Sequence, residues 1–267
     1  MAGDQSTRYA VGPSQGDRLM GLLGEALDFL TAPQNWDGIE GIPNRVWEHV
    51  QISALGTLLG ALVALPAGLY VGHTRRLQFL AVTAGNLGRA LPSFGILALV
   101  FPFTLRYDFF PGDIGFSATV IAMFLLAIPP ILLNTYVGVQ SIDPDEIEAG
   151  RGMGLSERQI LFEIEVPLAA PLIVVGLRNA AVSVVATATL AALVGWGGLG
   201  RFIIDGFAQG DEAQLLGGGI LVALLAIVTE VTFGFVERAI SPSGVGRKSQ
   251  PVFRSAGQVP RSDVGVV

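Results

Sequence analysis

Five long apolar runs restrict the folds open to this chain more than any other feature of its sequence. A helix of about 20 apolar residues crosses the hydrocarbon core of a bilayer, and each run reaches that length. Because backbone polar groups in lipid must be hydrogen-bonded within the chain, such runs span a membrane as helices. We therefore predict an all-α integral membrane protein with about five transmembrane helices, at residues 50–72, 79–104, 116–140, 168–194 and 214–237.

The composition agrees with a membrane protein and excludes several classes of site. The chain of 267 residues is 51% hydrophobic and 14% charged, with a mean hydropathy of +0.58, whereas soluble domains carry about 25% charged residues. A net charge of −6 argues against a nucleic-acid partner, and the lack of cysteine excludes disulfides and thiolate metal sites. His49 and His73 flank the first run and are interpreted as interface residues, so we predict neither a metal site nor a cofactor in this chain.

The two ends of the chain differ from the transmembrane domain that we assign to residues 49–240. Residues 1–48 form an N-terminal extension, without the pattern of a cleaved signal peptide. Within it, residues 18–33 are too short and too interrupted by charge to span, and their helical spacing of leucines favours a helix lying on the membrane interface. Residues 241–267 are rich in Ser, Gly, Pro and Arg, which predicts a disordered tail.

Arginine and lysine close to the spans indicate the orientation, because cytoplasmic loops are enriched in them. We predict that the N-terminus lies outside and the C-terminus in the cytoplasm, because most of these basic residues then lie on the cytoplasmic side. The cytoplasmic set is Arg75, Arg76, Arg151, Arg158, Arg238, Arg247 and Lys248.

Residues 143–167 form a polar cytoplasmic loop, hereafter the elbow, which is predicted to fold as two short helices with a sharp corner. Pro144 and the acids after it favour a helix start, and Gly152 and Gly154 favour its end. Ser156 and Gln159 have the spacing of a capping box for the second helix.

The elbow resembles the coupling loop of permeases of ATP-binding-cassette (ABC) importers, of the type I, MetI-like fold. That pattern reads Glu-Ala-Ala, three residues, Gly, nine residues, Ile, one residue, Leu-Pro. The chain departs from it only where Gly150 replaces the second alanine and Val166 replaces the leucine. The resemblance implies that a cytoplasmic ATPase dimer docks on Glu148, Ala149, Gly150, Gly154, Ile160, Ile164 and Pro167.

The same resemblance implies the other partners and the place of this chain in the cell. ATP is bound and hydrolysed by the ATPase, so this subunit is not itself an enzyme; its single lysine, Lys248, lies in no P-loop. A second permease subunit, identical or related, and an extracellular substrate-binding protein complete the importer in a prokaryotic plasma membrane. The segment 195–203, GWGGLGRFI, either receives that binding protein or is a plain re-entrant connection.

Four further stretches are similar to the branch that carries glycine betaine, choline, carnitine and related osmoprotectants, and with NWDGIEGI the likeness covers roughly residues 40–240. It implies a quaternary-ammonium solute, although Trp36, Trp47 and Trp196 form no evident cation–π cluster. The four stretches are LYVGHTRR (69–76), NLGRALPSFGILAL (86–99), AIPPILLNTYVGVQSIDPDEIEAGRGMG (127–154) and ATATLAALVGWGGLGRFIIDGFAQGD (186–211).

Polar residues inside the spans are candidates for the solute pathway, because ionisable groups in lipid are costly. Arg89 either contributes to a gate beside the helix-breaking Pro92 or bonds the carbonyls of a neighbouring helix. Arg178 and Glu230 are hypothesised to pair, which would lower the cost of burying each. Asparagines in the spans are expected to bridge helices more readily than to bind solute. The predicted pathway or gate residues are Asn86, Arg89, Pro92, Arg178 and Glu230.

Three other functions stay open on the residues alone. One is an ABC permease for another small solute, such as an amino acid. Another is an ion-coupled secondary transporter, although internal repeats typical of that class are not evident. The third is an intramembrane enzyme, for which the spans offer neither a cysteine, nor a histidine, nor a pair of carboxylates in one run.

Overall fold

The computed structural model describes residues 15–90, 92–107, 110 and 115–240, and all regular secondary structure in these ranges is helical. The predicted tail at 241–267 and the first fourteen residues of the N-terminal extension lie outside it. Ten α-helices follow one another in the described ranges. They are α1 Gln15–Thr31, α2 Ile42–Thr74, α3 Gln78–Ala90, α4 Ser93–Arg106, α5 Phe116–Gln140, α6 Pro144–Gly152, α7 Glu157–Gln159, α8 Val166–Thr187, α9 Gly200–Gln209 and α10 Glu212–Ile240.

Four helical segments in this part of the chain are long and apolar enough to cross a membrane. They contain the predicted spans other than 79–104, and they are Ile42–Thr74, Phe116–Gln140, Glu157–Val194 and Glu212–Ile240. The third runs without interruption from α7 through a π-helical stretch, Ile160–Glu165, into α8, and then into a 3₁₀ stretch, Ala188–Val194. The fold class is therefore the predicted one.

The predicted span 79–104 is not one helix but two. α3 ends at Ala90, and α4 begins at Ser93 with Pro92 as its N-cap. Proline has no N–H to continue the helical ladder and disfavours helical geometry in the residue before it, which explains a break at this position. α4 is apolar but has only 14 residues, fewer than the roughly 20 that a spanning helix needs. The break lies near the middle of the segment, where a straight helix would cross the bilayer.

The helices α2 and α5 run parallel and pack closely along a row of small residues. Gly56 faces Met123, Gly60 faces Ala127, Gly68 faces Thr135 and Gly72 faces Val139. A Cβ atom added at Gly60 would lie 2.6 Å from that of Ala127, and one at Gly72 would lie 2.6 Å from that of Val139. Small residues at every fourth position let two helix backbones approach in this way. This row, with Ala64 in its middle, sets the centre of the bundle.

The helices α8 and α10 bury different amounts of their surface around this central contact. α8 packs against α5 in the opposite direction, with Gly176 against Asn134 and Gly138 against Ala169. α10 packs against α8 and α9 but buries only Gly217 and Gly218 within the chain. Its remaining apolar surface, including Ile227 at 57% and Phe235 at 64% exposure, suits contact with lipid or a second subunit.

α1 occupies the segment predicted as an interfacial helix. Ala26 is fully buried, and the helix packs against α10, where the Phe29 ring covers Gly217 and meets Phe202 edge-on at 5.6 Å between centroids. Leu19, Met20, Leu23 and Leu27 are exposed. α1 therefore also carries apolar side chains that the chain itself does not cover.

Candidate functional site

The elbow folds as predicted from its local signals. The Asp143 side chain accepts a hydrogen bond from the Asp145 N–H at the start of α6, 3.0 Å away. Gly154 makes the corner at φ +85°, where a Cβ would meet no atom but would strain the backbone. Ser156 and Gln159 form the reciprocal capping box of α7. The elbow is thus a defined corner rather than an irregular loop.

The second half of the elbow differs from the prediction, because it continues into the membrane without a break. In the π-helical stretch the Val166 N–H donates to Leu161 O, a bond of the i to i−5 type. Pro167 follows at the second position of α8. Since proline lacks an N–H and crowds the preceding turn, the wider π turn accommodates it, and such turns are frequent at functional sites. The elbow and α8 are therefore joined by one continuous helical segment.

Two of the predicted ATPase-docking residues lie inside the elbow. Ile160 is fully buried, and Gly150 is buried where a Cβ would lie 2.7 Å from Cδ1 of Ile164. The small residue at 150 is required by the packing of the elbow itself, and Ile160 has no surface left for a partner in this conformation. Ile164 is half-buried between the two helices of the corner.

The outer surface of the elbow carries the other predicted residues and two that the sequence analysis missed. Glu148, Ala149, Gly154 and Pro167 are exposed. Met153, which follows α6, is 74% exposed, and Phe162 in the π turn is 55% exposed. A methionine directly after a short polar helix that ends in Arg151 and Gly152 was a signal available in the sequence. Met153 is the large apolar side chain on the tip of the corner.

An ionic cluster attaches the elbow to the cytoplasmic end of α2. Nδ1 of His73 lies 2.6 Å from Oε2 of Glu165, and Nε2 lies 3.5 Å from Oε2 of Glu157. Glu157 also accepts hydrogen bonds from Arg151 at 2.9 and 3.1 Å, and this carboxylate raises the pKa of the Arg151 guanidinium. Three parts of the chain, the end of α2, the corner and the π turn, are therefore held by one cluster.

Arg178 lies within reach of two carboxylates of α10. Its Nη2 is 3.0 Å from Oε1 of Glu230, the hypothesised partner, and its Nη1 is 2.8 Å from Oε2 of Glu237. The second partner was missed because Glu237 stands at the end of the last run, seven residues after Glu230. Two turns of helix bring both carboxylates to one face of α10. The cluster joins α8 to α10; a role in the solute pathway stays a prediction.

The structure describes some, but not all, of the side chains that are predicted to line the pathway in the broken segment. Asn86 is exposed on α3, and Pro92 caps α4. Arg89 belongs to α3, but its side chain lies outside the described part of the chain. Close to this break lies a cavity of about 360 Å³ between α3, α5 and α8, which we name the midspan cavity. Its lining residues are Gly85, Gly88, Leu126, Pro129, Pro130, Leu133, Asn134, Asn179 and Ser183.

The glycine-rich segment 195–203 is held against the start of α2. The Gly198 N–H donates to Oε2 of Glu48 at 2.7 Å, and the Leu199 N–H donates to Nδ1 of the buried His49 at 3.3 Å. The Nε2 of His49 in turn bonds Val185 O at 2.8 Å. His49 is therefore a structural residue that joins α2 to α8 and to this connection. The glycines allow the close approach, since a Cβ at Gly197 would collide with the Glu48 carboxylate.

Comparison with known proteins identifies the family. The model of the family described as "binding-protein-dependent transport system inner membrane component" matches residues 56–243. The chain belongs to this family. It is thus a membrane permease component, as the resemblance of the elbow implied, and the match includes the whole elbow.

Named relatives of this permease cover most of its length. The carnitine transport permease protein OpuCB of Listeria monocytogenes is 35% identical over 201 residues, which are 75% of this chain and 88% of the relative. The choline transport system permease protein OpuBB of Bacillus subtilis is 32% identical over 76% of this chain and 90% of its own length. The osmoprotectant import permease protein OsmW of Salmonella typhimurium is 30% identical over 76% and 94%.

A solved structure supports the fold of the permease. An inward-facing form of the MetNI methionine ABC transporter contains a chain that aligns with a TM-score of 0.67 at 23% identity. The alignment covers 79% of this chain and all of that one. The MetI-like fold expected from the sequence is therefore confirmed.

Proposed function

We propose that the chain is the membrane-spanning subunit of an ATP-driven importer for quaternary-ammonium osmoprotectants of the glycine betaine, choline and carnitine class. The observation that carries this proposal is the likeness to permeases named for carnitine and choline transport, at 30–35% identity over about three quarters of the chain. The chain offers no aromatic cage for such a solute on the elbow or in the midspan cavity. Because the family is described as binding-protein-dependent, an extracellular binding protein is proposed to make the first selection.

The elbow is the proposed docking site for the ATPase dimer. Its exposed surface combines the acid of Glu148, the small Ala149 and the apolar Met153. A helix end of this kind fits a groove on a partner that offers a basic residue and an apolar pocket. Gly150 and Ile160 support the corner from inside, while Gly154, Ile164 and Pro167 shape it.

Movement of the docked elbow would reach the transmembrane helices by two connections. One is the continuous helix from Glu157 to Val194, and the other is the His73 cluster that ends on α2. Because packed helices move as rigid bodies, closure of an ATPase dimer would then shift α2 and α8 together. This mechanism requires the elbow and the C-terminus to face the cytoplasm and the N-terminus to face outward.

A second permease subunit, identical or related, completes the proposed pathway. α10 buries only Gly217 and Gly218 within the described part of the chain, which leaves most of its apolar surface for lipid or a second subunit. Arg89 and Asn86 on α3, and Pro92 at the break, are proposed to face that pathway. Arg178 and Glu230 would then maintain the position of α10 beside it.

The decisive experiment is uptake into proteoliposomes that contain this permease with its ATPase and binding protein. Labelled glycine betaine, carnitine, choline and methionine are compared with and without internal ATP. The proposal expects ATP-dependent uptake of the first three and none of methionine. Uptake of methionine alone would favour an amino-acid importer, and uptake driven by an ion gradient without ATP would favour a secondary transporter.

A further inference from the structure

The ionic cluster between α8 and α10 contains one more carboxylate than it has cations. Arg178 lies 3.0 Å from Glu230 through Nη2 and 2.8 Å from Glu237 through Nη1. Arg238, which follows Glu237, lies 6.0 Å from the centroid of the Phe235 ring and makes no ion pair in the described part of the chain. One guanidinium therefore serves two glutamates, and the cluster has a formal charge of −1.

Glu230 lies on a face of α10 that the described part of the chain leaves open. Its helix is among the segments long and apolar enough to cross a membrane, and its side chain is 47% exposed. Ile227, one turn earlier, is 57% exposed, and Gly234, one turn later, has open space beside it. Because a carboxylate inside a membrane is costly unless a cation compensates it, we expect this face to meet a protein surface that supplies a cation rather than lipid.

The other arginine of the predicted spans, Arg89, belongs to α3 at the depth of this cluster. The Pro129–Pro130 pair of α5 provides the reference. Gly88 of α3 packs against the first proline, and a Cβ atom added at Gly176 of α8 would lie 3.1 Å from the O atom of the second. Arg89 and Arg178 follow these glycines by one and two residues, a rise of at most about 3 Å along a helix. Position 89 and the Arg178 cluster are therefore at nearly the same depth in the bundle.

The helices α3 and α10 are separated within one chain. α3 packs against α5, α5 against α8 and α8 against α10, and in the described ranges α3 and α10 make no extensive contact. A two-fold axis along the membrane normal keeps every residue at its own depth, and it makes each contact between two copies reciprocal. Such an axis can bring α3 of each copy beside α10 of the other, with position 89 and Glu230 at matching depth.

We propose that Glu230 of one copy pairs with Arg89 of a second copy of this chain, and that this reciprocal pair determines which helices meet between the two permeases. The inference rests on the proposed function only for the presence of two permease subunits side by side. The predicted spans of one copy contain two arginines and two glutamates. With this pairing, every carboxylate of the spans has a cation in the dimer.

The first test is a double-mutant cycle on the association of two differently tagged copies of the purified permease in detergent. Arg89→Gln and Glu230→Gln should each raise the dissociation constant between the copies by at least about tenfold, because each leaves the opposite charge without its partner. The double variant should lose no more than either single variant, since the pair is then absent altogether. Glu163→Gln removes an exposed carboxylate of the elbow and should change nothing. Additive losses in the double variant would overturn the pair.

The second test is cross-linking, which does not depend on association constants. The chain has no cysteine, so Arg89→Cys in one tagged copy and Glu230→Cys in the other place one thiol on each side of the contact. A short bis-maleimide is used, because an Arg–Glu pair holds its Cβ atoms further apart than a disulfide allows. A cross-linked dimer is expected in the complex with the ATPase. Gly219→Cys, in open space on α10 and roughly 16 Å from position 230, replaces Glu230→Cys as the control and should give none.

The outcomes separate this inference from the proposed function. If the two tagged copies do not co-purify, a different subunit occupies this face of α10, and the pair is wrong. Equal cross-linking from positions 219 and 230, or none from position 230, would overturn it as well. Solute uptake is measured on the wild-type importer, so each of these results leaves the proposed function to its own assay.

Discussion

Nδ1 of His73, at the end of α2, lies 2.6 Å from Oε2 of Glu165, which is 92 residues later in the chain and 5% exposed. Nε2 of the same ring faces Glu157 at 3.5 Å, so both ring nitrogens meet carboxylates. The pair connects the first span to the helix that leaves the elbow.

Glu165→Ala should uncouple ATP hydrolysis from transport. Removing the carboxylate leaves the His73 ring without its buried partner and weakens the contact between α2 and the elbow, a loss of about 1.5–3 kcal/mol for a hydrogen bond to a charged group. We expect the ATP consumed per solute imported to rise by about tenfold, measured in proteoliposomes. Glu163→Ala removes an exposed carboxylate of the same π turn and should leave the ratio unchanged. Equal ratios in the two variants would show that the His73 cluster does not transmit motion.

Met153→Asp should weaken association with the ATPase subunit by at least about tenfold, because a charge would replace the apolar side chain at the centre of the proposed contact. Met153 is 74% exposed, so the permease itself should fold normally. Association is measured by titrating the detergent-solubilised permease with the purified ATPase. Met153→Leu keeps an apolar side chain of similar size and serves as the control. Wild-type affinity in Met153→Asp would place the ATPase elsewhere on the elbow.

Gly154→Ala should distort the corner of the elbow, whereas Gly152→Ala should not. The φ of +85° at Gly154 costs a residue with a Cβ about 1–2 kcal/mol, although the space around it is open. Gly152 ends α6, has open space and lies outside the left-handed region, so alanine there should stabilise α6 by up to about 1 kcal/mol. ATP-dependent uptake by the two variants provides the measurement. A similar loss of uptake in both variants would mean that the space around α6, rather than the backbone conformation at the corner, limits docking.

Gly60→Leu should destabilise the bundle, because its side chain would enter the contact between α2 and α5. An added Cβ already lies 2.6 Å from that of Ala127, and overpacking of this kind costs about 1–3 kcal/mol. The expected result is a lower Tm of the purified permease in detergent. Gly219→Leu, on α10, meets no atom within 4 Å and should leave the Tm close to that of the wild type. A normal Tm for Gly60→Leu would mean that the two helices are further apart than described.

Features that depend on near neighbours along the chain could be predicted without a structure. The apolar runs, the start of α6 at Pro144, the capping box of Ser156 and the corner at Gly154 all follow from residues within about one turn of one another. Pro92 was correctly expected to break or bend its helix. The family pattern in the elbow has the same local character, which is why it could be recognised without a structure.

The face that each helix turns towards each partner could be seen only in the folded chain. In the folded chain Ile160 and Gly150 lie inside the elbow, and Arg178 pairs with a second carboxylate, that of Glu237. The side chain of Asn134 bonds its own helix, whereas the side chain of Asn179 bonds none of the described residues. Apolar residues surround the membrane helices on all sides, so periodicity cannot distinguish a face towards lipid from one towards another helix. Those faces are decided by close packing between distant segments, as in the row of small residues where α2 meets α5.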